Sequence, residues 1–326
     1  MSIAAAASSV SVKTLRYTSL GSALFAFALV VWGGIVRING AGMTCPDWPR
    51  CRGAWFPALN DSVVYEWTHR LGAPILTLLI VATFIAAWQA RRELPAAWRA
   101  AWYPAGLLVA QIIVGGLTIR YINNPPSVAA HLGLGILTFV SLLVVWYAAS
   151  QPAGTTAPFD SPAASLSFSR LALSAAAVTF AAILAAGYMS ASNDGLACTQ
   201  FPLCNGWGAP QSLAQQIHMA HRLLAYAAFA LVLVLGLIGM RSRDARTRSL
   251  SALALVLAVV QIALGVATVM TALEPVLRSL HQANGALLFA TLVILTYAAY
   301  AATAAPAGTG AADPAPAPQR AVAQNP

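Results

Sequence analysis

Two stretches of this sequence place ionisable side chains at the start of long apolar runs. Glu66 and His69 stand three residues apart, so on a helix they share one face. About 150 residues later the pattern returns, with His221 in the place of His69 and His218 in the place of Glu66. Ionisable groups in a membrane segment are costly and indicate a functional site. The sequence therefore predicts two versions of one site that differ by a carboxylate.

Two further histidines turn these single residues into pairs. His131 and His281 also open apolar runs, and they too stand about 150 residues apart. Two imidazoles at similar depth on facing helices can clamp a flat ligand, and haem iron takes axial histidines. One alternative is interfacial histidines held by hydrogen bonds, and another is zinc, which usually takes three or four protein ligands. The duplication favours haem ligation by His69 with His131 and by His221 with His281.

The four cysteines form two pairs of equal spacing. Cys45 and Cys51 precede the first of these sites, and Cys198 and Cys204 precede its repeat. On the oxidising side of a membrane, each pair is expected to form a disulfide. A bridge can staple its own loop, and the first pair can also have a redox or haem-handling role. A c-type haem site is excluded because Cys-x-x-Cys-His is absent.

Other polar side chains near the ends of the apolar runs have two interpretations. The arginines of this group can pair with haem propionates or extend to lipid headgroups. They are Arg37, Arg70, Arg120, Arg222 and Arg278. Gln111 and Gln261 recur in the motif Gln-Ile-x-x-Gly-x-x-Thr, and we interpret them as hydrogen-bonding residues between packed helices.

The composition indicates a membrane protein. Of the 326 residues, 59% are hydrophobic and 8% are charged, whereas soluble domains carry about 25% charged residues. Nucleic-acid binding is excluded because no basic stripe with interleaved aromatic residues occurs. Runs long enough to span a bilayer lie at 17–36, 65–88, 102–120, 129–149, 170–190, 217–240, 249–270 and 280–303.

The repeated motifs divide these spans into two sets of four. A linker at 151–168, rich in Pro, Ala, Ser and Thr, separates the sets. We therefore predict an all-α integral membrane fold of eight transmembrane helices, arranged as two tandem four-helix bundles in a parallel duplication. The predicted halves are 1–155 and 156–303, followed by a disordered tail at 304–326.

The distribution of Lys and Arg predicts the orientation in the cell (inner) membrane. The segments on the side of the N-terminus carry more Lys and Arg than those on the opposite side. By the positive-inside rule both termini are cytoplasmic, and the cysteine loops lie on the outer face.

Taken together, the motifs resemble those of the haem A synthase family. The resemblance covers about residues 15–303. Its motifs are Gly33-Gly34-x-Val36-Arg37, Gly42-x-x-Cys45-Pro46-Asp47-Trp48-Pro49, Glu66-x-x-His69-Arg70 and the duplicated Gln-Ile-x-x-Gly-x-x-Thr and His. It implies an oxidoreductase, acting on a CH or CH2 group, that oxidises a methyl group of haem O to a formyl group. This oxidation goes through successive hydroxylations and gives haem A for terminal oxidases.

The resemblance also implies roles for the site residues. It implies that His69 and His131 hold the substrate haem, and that His221 and His281 ligate the iron of a haem b. The resemblance further implies that Glu66 is a catalytic residue and that Cys45–Cys51 is the functional cysteine pair. The partners it implies are haem O, haem O synthase, an unidentified electron donor, the lipid bilayer and a second copy of this chain.

Two other functions fit the same residues less well. A bis-haem electron-transfer cytochrome has no use for a carboxylate that is present at one of its sites and absent from the other. The difference between Glu66 and His218 therefore argues against this function. A haem transporter is disfavoured because no span is broken at mid-depth by paired Gly or Pro. A carboxylate one helical turn from an iron ligand can instead accept a proton or stabilise positive charge at an oxidised methyl carbon.

Overall fold

The protein is a bundle of eight long helices. The computed structural model describes residues 3–60, 62–151, 158–159 and 161–304, and in these ranges it contains no β-strand. The helices are α1 (Ile3–Ile38), α2 (Val63–Gln89), α3 (Pro95–Arg120), α4 (Pro125–Ser150), α5 (Pro162–Ala191), α6 (Leu213–Gly239), α7 (Ala245–Met270) and α8 (Pro275–Ala304). Each is long and apolar enough to cross a membrane, which confirms the predicted fold class.

The helices begin between two and fourteen residues before the predicted apolar runs, and polar residues or prolines begin most of them. Pro stands in the first turn of α3, α4 and α5, where its missing N–H costs nothing. The side chains of Asn124, Ser161, Ser212 and Asp244 cap the starts of α4, α5, α6 and α7 by accepting backbone N–H groups. Apolar patterning therefore located the spans, while these caps set their ends.

Each set of four helices closes into a bundle of its own. In the first half, α1 packs on α2 and α4, and α3 packs on α2 and α4. In the second half, α5 packs on α6 and α8, and α7 packs on α6 and α8. The halves meet through α1, α4, α5 and α8, so the other four helices are peripheral.

The duplication extends to the packing of the core. Phe27 packs against Phe139 with ring centroids 5.2 Å apart, and Phe180 packs against Phe289 at 5.1 Å. Each pair joins the first and last helix of its half and adds about 1 kcal/mol beyond its buried area. The predicted boundary between the halves, at 155 and 156, lies outside the described residues, as does the tail beyond 304.

Two long loops close the same end of the bundle. The first Cys loop, residues 39–62, joins α1 to α2, and the second Cys loop, residues 192–212, joins α5 to α6. The short turns between α3 and α4 and between α7 and α8 lie at this end as well, since the helices alternate in direction. The loops and turns thus bring the predicted site residues to one level of the bundle.

Candidate functional site

A cavity of about 920 Å³ runs through the interior at the level of the predicted site residues. It is lined from both halves and from both Cys loops, and its walls are mostly apolar. His69, His131, His221 and His281 all line it, and each is half-buried. The structure thus brings all four predicted ligands into one internal space.

Three of the four imidazoles closely approach a glycine of a neighbouring helix through Cε1. A Cβ atom on Gly33 of α1 would lie 2.9 Å from Cε1 of His69. A Cβ atom on Gly115 of α3 would lie 3.0 Å from Cε1 of His131. A Cβ atom on Gly265 of α7 would lie 3.1 Å from Cε1 of His281. These glycines are needed for the close approach of ring and backbone, and they fix where each imidazole lies.

The second pair has a separation that suits a single bridging atom. The ring centroids of His221 and His281 are 6.5 Å apart, with the ring planes at 75°. One metal atom with a bond of about 2 Å to a nitrogen of each ring fits between them. The residues present therefore suit a haem iron with two axial histidines.

Further side chains hold the second pair in place. Nδ1 of His221 donates to the carbonyl oxygen of Ala182 at 2.9 Å, which leaves Nε2 with a free lone pair. The amide of Gln261 faces Nε2 of His281 at 3.2 Å, and its Oε1 accepts a hydrogen bond from Nδ2 of Asn284 at 2.7 Å. The Asn284 bond sets the amide so that its NH₂ group faces the ring, and Nε2 of His281 accepts from it through the lone pair that a metal would take instead.

The first pair lacks these supports. Gln111 faces Nε2 of His131 at 3.4 Å, but its Oε1 is buried without a hydrogen-bond partner. Leu134 stands where the second half has Asn284 and cannot hydrogen-bond the amide. Nδ1 of His69 is also buried without a partner, in contrast to that of His221. The imidazoles of the first site and the glutamine beside them therefore make fewer hydrogen bonds than those of the second site.

Glu66 lies at the mouth of the first site, with its carboxylate buried among three donors. Its Oε2 accepts hydrogen bonds from the backbone N–H of Cys45 at 2.8 Å and from the hydroxyl of Thr44 at 3.0 Å. Its Oε1 pairs with Arg70 at 2.5 Å, and the residue as a whole is only 4% exposed. Glu66 also lines the cavity, so the carboxylate contacts both the loop and the site.

Arg70 and Arg222 hold the two Cys loops in the same way. The guanidinium of Arg70 donates to the carbonyl oxygens of Cys45, Asp47 and Arg50. That of Arg222 donates to the equivalent carbonyls of the second loop, at Cys198, Gln200 and Leu203, and also to that of Pro202. These contacts occupy the terminal nitrogens of the two arginines, for which the sequence left propionates and lipid headgroups as alternative partners.

The remaining predicted arginines differ in position. Arg37 donates to the carbonyl oxygens of Ser190 and Ala191 at the end of α5, while its Nε is buried without a partner. Arg278 lines the same cavity near Arg37 and has no carboxylate partner among the described residues. Arg120 is exposed and does not line the cavity.

Each Cys loop contains the expected disulfide. Cys45 is bonded to Cys51 and Cys198 to Cys204, and in both pairs the Cα atoms are 4.5 Å apart. In the first loop, the Asp47 carboxylate accepts the N–H groups of Arg52 and Gly53, both of which have positive φ. The hydrogen bond from Gly53 lowers the pKa of Asp47 below its ordinary value. The bridge and this turn give the loop a fixed backbone at Glu66.

His218 occupies the place of Glu66 in the second half but makes different contacts. It is 3% exposed and lines the cavity, and its Nδ1 has no hydrogen-bond partner. Across the described ranges, no group of three or more His, Cys, Asp or Glu side chains has the spacing of a metal site. The three or four ligands that zinc usually takes are therefore missing here.

Several residues shape the sites in ways that their sequence patterns did not predict. Gln111 and Gln261 do bond between helices as expected, but their partners are the predicted ligands His131 and His281. The glycines against the imidazoles were visible only as parts of motifs. Nothing in the sequence marked the carbonyl of Ala182, because a backbone acceptor has no residue signature.

The profile of the COX15-CtaA family, described as a cytochrome oxidase assembly protein, matches residues 16–293. This chain belongs to that family. The match covers all eight helices in whole or in part, including every histidine discussed above. It confirms the family relationship that the sequence motifs predicted.

Curated relatives agree with the family. A protein of Caulobacter sp. (strain K31) named haem A synthase is 30% identical over 322 residues, which is 82% of this chain and 91% of the relative. One of Shouchella clausii with the same name is 28% identical, covering 79% and 88%. A Halobacterium salinarum protein named protohaem IX farnesyltransferase is 32% identical over 127 residues, 38% of this chain and 27% of that protein.

Proposed function

We propose that this COX15-CtaA family protein is a haem A synthase that oxidises a methyl group of haem O to a formyl group. The oxidation goes through successive hydroxylations and gives haem A for terminal oxidases. The observation that carries the proposal is the difference between two otherwise duplicated histidine pairs. Only the first pair has a carboxylate, that of Glu66, one helical turn from a ligand and lining the same cavity.

In this proposal the two histidine pairs bind different haems, of which one is the substrate and the other a resident cofactor. His221 and His281 hold the iron of a haem b, which supplies electron-transfer chemistry when bound. The hydrogen bonds from His221 to Ala182 and from Asn284 to Gln261 keep their rings in the ligating form. His69 and His131 hold the haem O, and their looser surroundings suit a ligand that must enter and leave.

Glu66 acts on the oxidised methyl group in this proposal. A carboxylate offers about four lone-pair positions, and Cys45, Thr44 and Arg70 occupy three of them. The remaining position can accept a proton or face positive charge that develops at the methyl carbon. Because its three partners fix the carboxylate, its orientation costs little at the moment of reaction.

Arg37 and Arg278 are the best candidates to bind propionates. Both line the cavity, and Arg278 has no carboxylate partner within the described ranges. Arg70 and Arg222 hold the loops instead, and Arg120 lies away from the cavity. A pair of haem carboxylates between Arg37 and Arg278 would balance two neighbouring positive charges.

The proposed partners follow from the substrate. The Halobacterium relative's name denotes farnesylation of protohaem IX, which is the step that yields haem O. We propose that a haem O synthase supplies the haem O, and that an unidentified electron donor delivers electrons to this protein through the haem b. In the proposed orientation both termini are cytoplasmic, and the Cys loops lie on the outer face of the cell membrane.

Haem extraction tests the function directly. Cells that make haem O but no haem A would express this chain, and their extracted haems would be separated by chromatography. We expect haem A to appear only when the chain is expressed. Haem O alone, with a protein that carries bound haem, would contradict the proposal.

A bis-haem electron-transfer cytochrome is the second candidate. The observation that favours it is the buried ion pair between Glu66 and Arg70. A carboxylate with a purely structural role would form the same ion pair. This candidate requires two bound haems and no change in the haem composition of the cell, so the same extraction distinguishes the two.

A further inference from the structure

The two sites differ in how their cavity walls face the lipid. In the first half, Leu71, Ala73 and Pro74 of α2 and Ile112 of α3 line the cavity and are also exposed on the outside of the bundle. In the second half, the lining residues of α6 and α7 are buried or half-buried, apart from Met270 at the last position of α7. Among the described helices, the exposed part of the cavity lining is therefore concentrated on α2 and α3.

The lining residues of α2 and α3, some exposed and some half-buried, lie on two facing stripes. Leu71, Pro74 and Thr77 are three residues apart along α2 and so share a face. Leu108 and Ile112 lie four apart on α3, with which α2 packs. Together they border a slot between the two helices, which we call the α2–α3 slot.

Two substitutions between the halves account for the difference. Pro74 and Thr77 on α2 correspond to Tyr226 and Phe229 on α6, and all four line the cavity. The hydroxyl of Tyr226 donates to the carbonyl oxygen of Pro202 at 2.6 Å, which fixes that ring against the second Cys loop. Two aromatic rings thus fill, in the second half, the space that Pro74 and Thr77 leave open in the first.

The surface of the slot is apolar. The hydroxyl of Thr77 donates to the carbonyl oxygen of Ala73 within its own helix at 2.9 Å, so the side chain leaves no unsatisfied donor. The other residues of the slot carry hydrocarbon side chains. A flexible hydrocarbon chain can pass from the cavity into the bilayer here without exposing a polar group.

We propose that the α2–α3 slot holds the farnesyl chain of haem O while the ring lies between His69 and His131. The inference rests on the proposed function and extends it to substrate selection. The ring enters with its chain extending into lipid, so the chain need not be folded into the bundle. The closed second half has no such exit and therefore retains a haem without a chain.

The test compares two haems that differ in this chain. Haem O and the chainless haem B would each be titrated into the purified, detergent-solubilised protein, and first-site binding would be followed by absorbance. In the variant Thr77→Phe, which copies the second half, haem O affinity should fall at least about tenfold, as overpacking predicts. Haem B affinity should stay close to that of the unaltered protein.

A matched control introduces the same side chain next to the slot. Leu78 is 71% exposed and does not line the cavity, so Leu78→Phe adds a ring on the lipid side of α2. It should bind both haems like the unaltered protein. If Thr77→Phe does not fold, Ile112→Trp blocks the slot from α3 and should give the same selective loss.

The outcomes separate this inference from the proposed function. Unchanged haem O binding in folded Thr77→Phe and Ile112→Trp would overturn the slot, and so would equal loss of both haems. Failure of the unaltered protein to bind haem O at all would instead overturn the proposed function. Selective loss of haem O in the slot variants alone supports the inference.

Discussion

At the scale of single residues, the contrast between Glu66 and His218 carries most of the functional argument. Both are buried at the same place in their halves and line the same cavity. Glu66 is tied to the first Cys loop through Cys45 and Arg70, whereas Nδ1 of His218 has no hydrogen-bond partner. The carboxylate can therefore have a structural role, a catalytic role or both, and substitution can separate these.

Glu66→Gln should block the oxidation while leaving the shape of the site. The amide keeps the size of the side chain but loses its charge and its capacity to accept a proton. We expect haem A formed per mole of haem-loaded protein to fall about 10²–10⁴-fold, with accumulation of haem O or a hydroxylated intermediate. Chromatography of extracted haems measures this. Normal turnover with reduced haem content would show that Glu66 only holds the loop.

His218 provides the control for that substitution. His218→Gln changes the equivalent position in the other half, so the first site should still bind haem O and retain Glu66. If both variants keep their full haem content and lose the oxidation of haem O to the same degree, the loss cannot be assigned to a carboxylate at the first site.

Replacing the second pair of histidines should remove the resident haem. His221→Ala or His281→Ala leaves one axial nitrogen, so the low-spin b-type spectrum of the purified protein should be lost. His69→Ala should leave this spectrum in place, since His69 belongs to the other pair. Retention of the spectrum in both second-half variants would contradict the assignment of the ligands.

At the scale of structural elements, each Cys loop is a fixed cap on one half of the bundle. In both loops an arginine from the following helix binds equivalent backbone carbonyls, and a disulfide closes the turn. The loop entropy removed by a bridge of this length corresponds to about 2 kcal/mol. In the first loop, the same backbone also supplies a donor to Glu66, from Cys45.

Peptide mapping of the non-reduced protein should find each bridge within its own loop. The expected pairs are Cys45–Cys51 and Cys198–Cys204, because the Cα atoms of each pair are 4.5 Å apart. Reduction should lower haem A formation through the displaced Glu66 while the second-half haem spectrum persists. Bridges between the two loops, or free thiols after aerobic purification, would count against this arrangement.

At the scale of the whole molecule, the parallel duplication places all four histidines at one level of the membrane. Both halves begin on the same side, so their even-numbered helices begin at the same end of the bundle. The helices α1, α4, α5 and α8 join the halves, and two of them, α4 and α8, carry His131 and His281. A single cavity reaches both histidine pairs.

Cysteine labelling in whole cells should establish the orientation. Glu93 lies between α2 and α3, and Tyr121 lies between α3 and α4; both are exposed. By the positive-inside rule, a membrane-impermeant maleimide should label Tyr121→Cys in intact cells, and Glu93→Cys only after permeabilisation. The reverse pattern would place the Cys loops in the cytoplasm.

The sequence by itself determined the eight spans, their duplication, and the candidate ligands. Span length and apolarity follow from bilayer thickness, and two copies of Gln-Ile-x-x-Gly-x-x-Thr mark equivalent helices whatever their packing. The pairing of the cysteines also followed, because the two members of each pair lie close together in one loop.

Only the tertiary structure decided what each polar group contacts. The sequence left Arg70 free to bind a propionate, but the folded loop places three backbone carbonyls around its guanidinium. It marked neither the acceptor at Ala182 nor the opening beside Thr77, because both depend on neighbours that are distant in sequence. The local sequence pattern specifies a helix and the residues that share one of its faces, whereas contacts between helices depend on how the whole bundle packs.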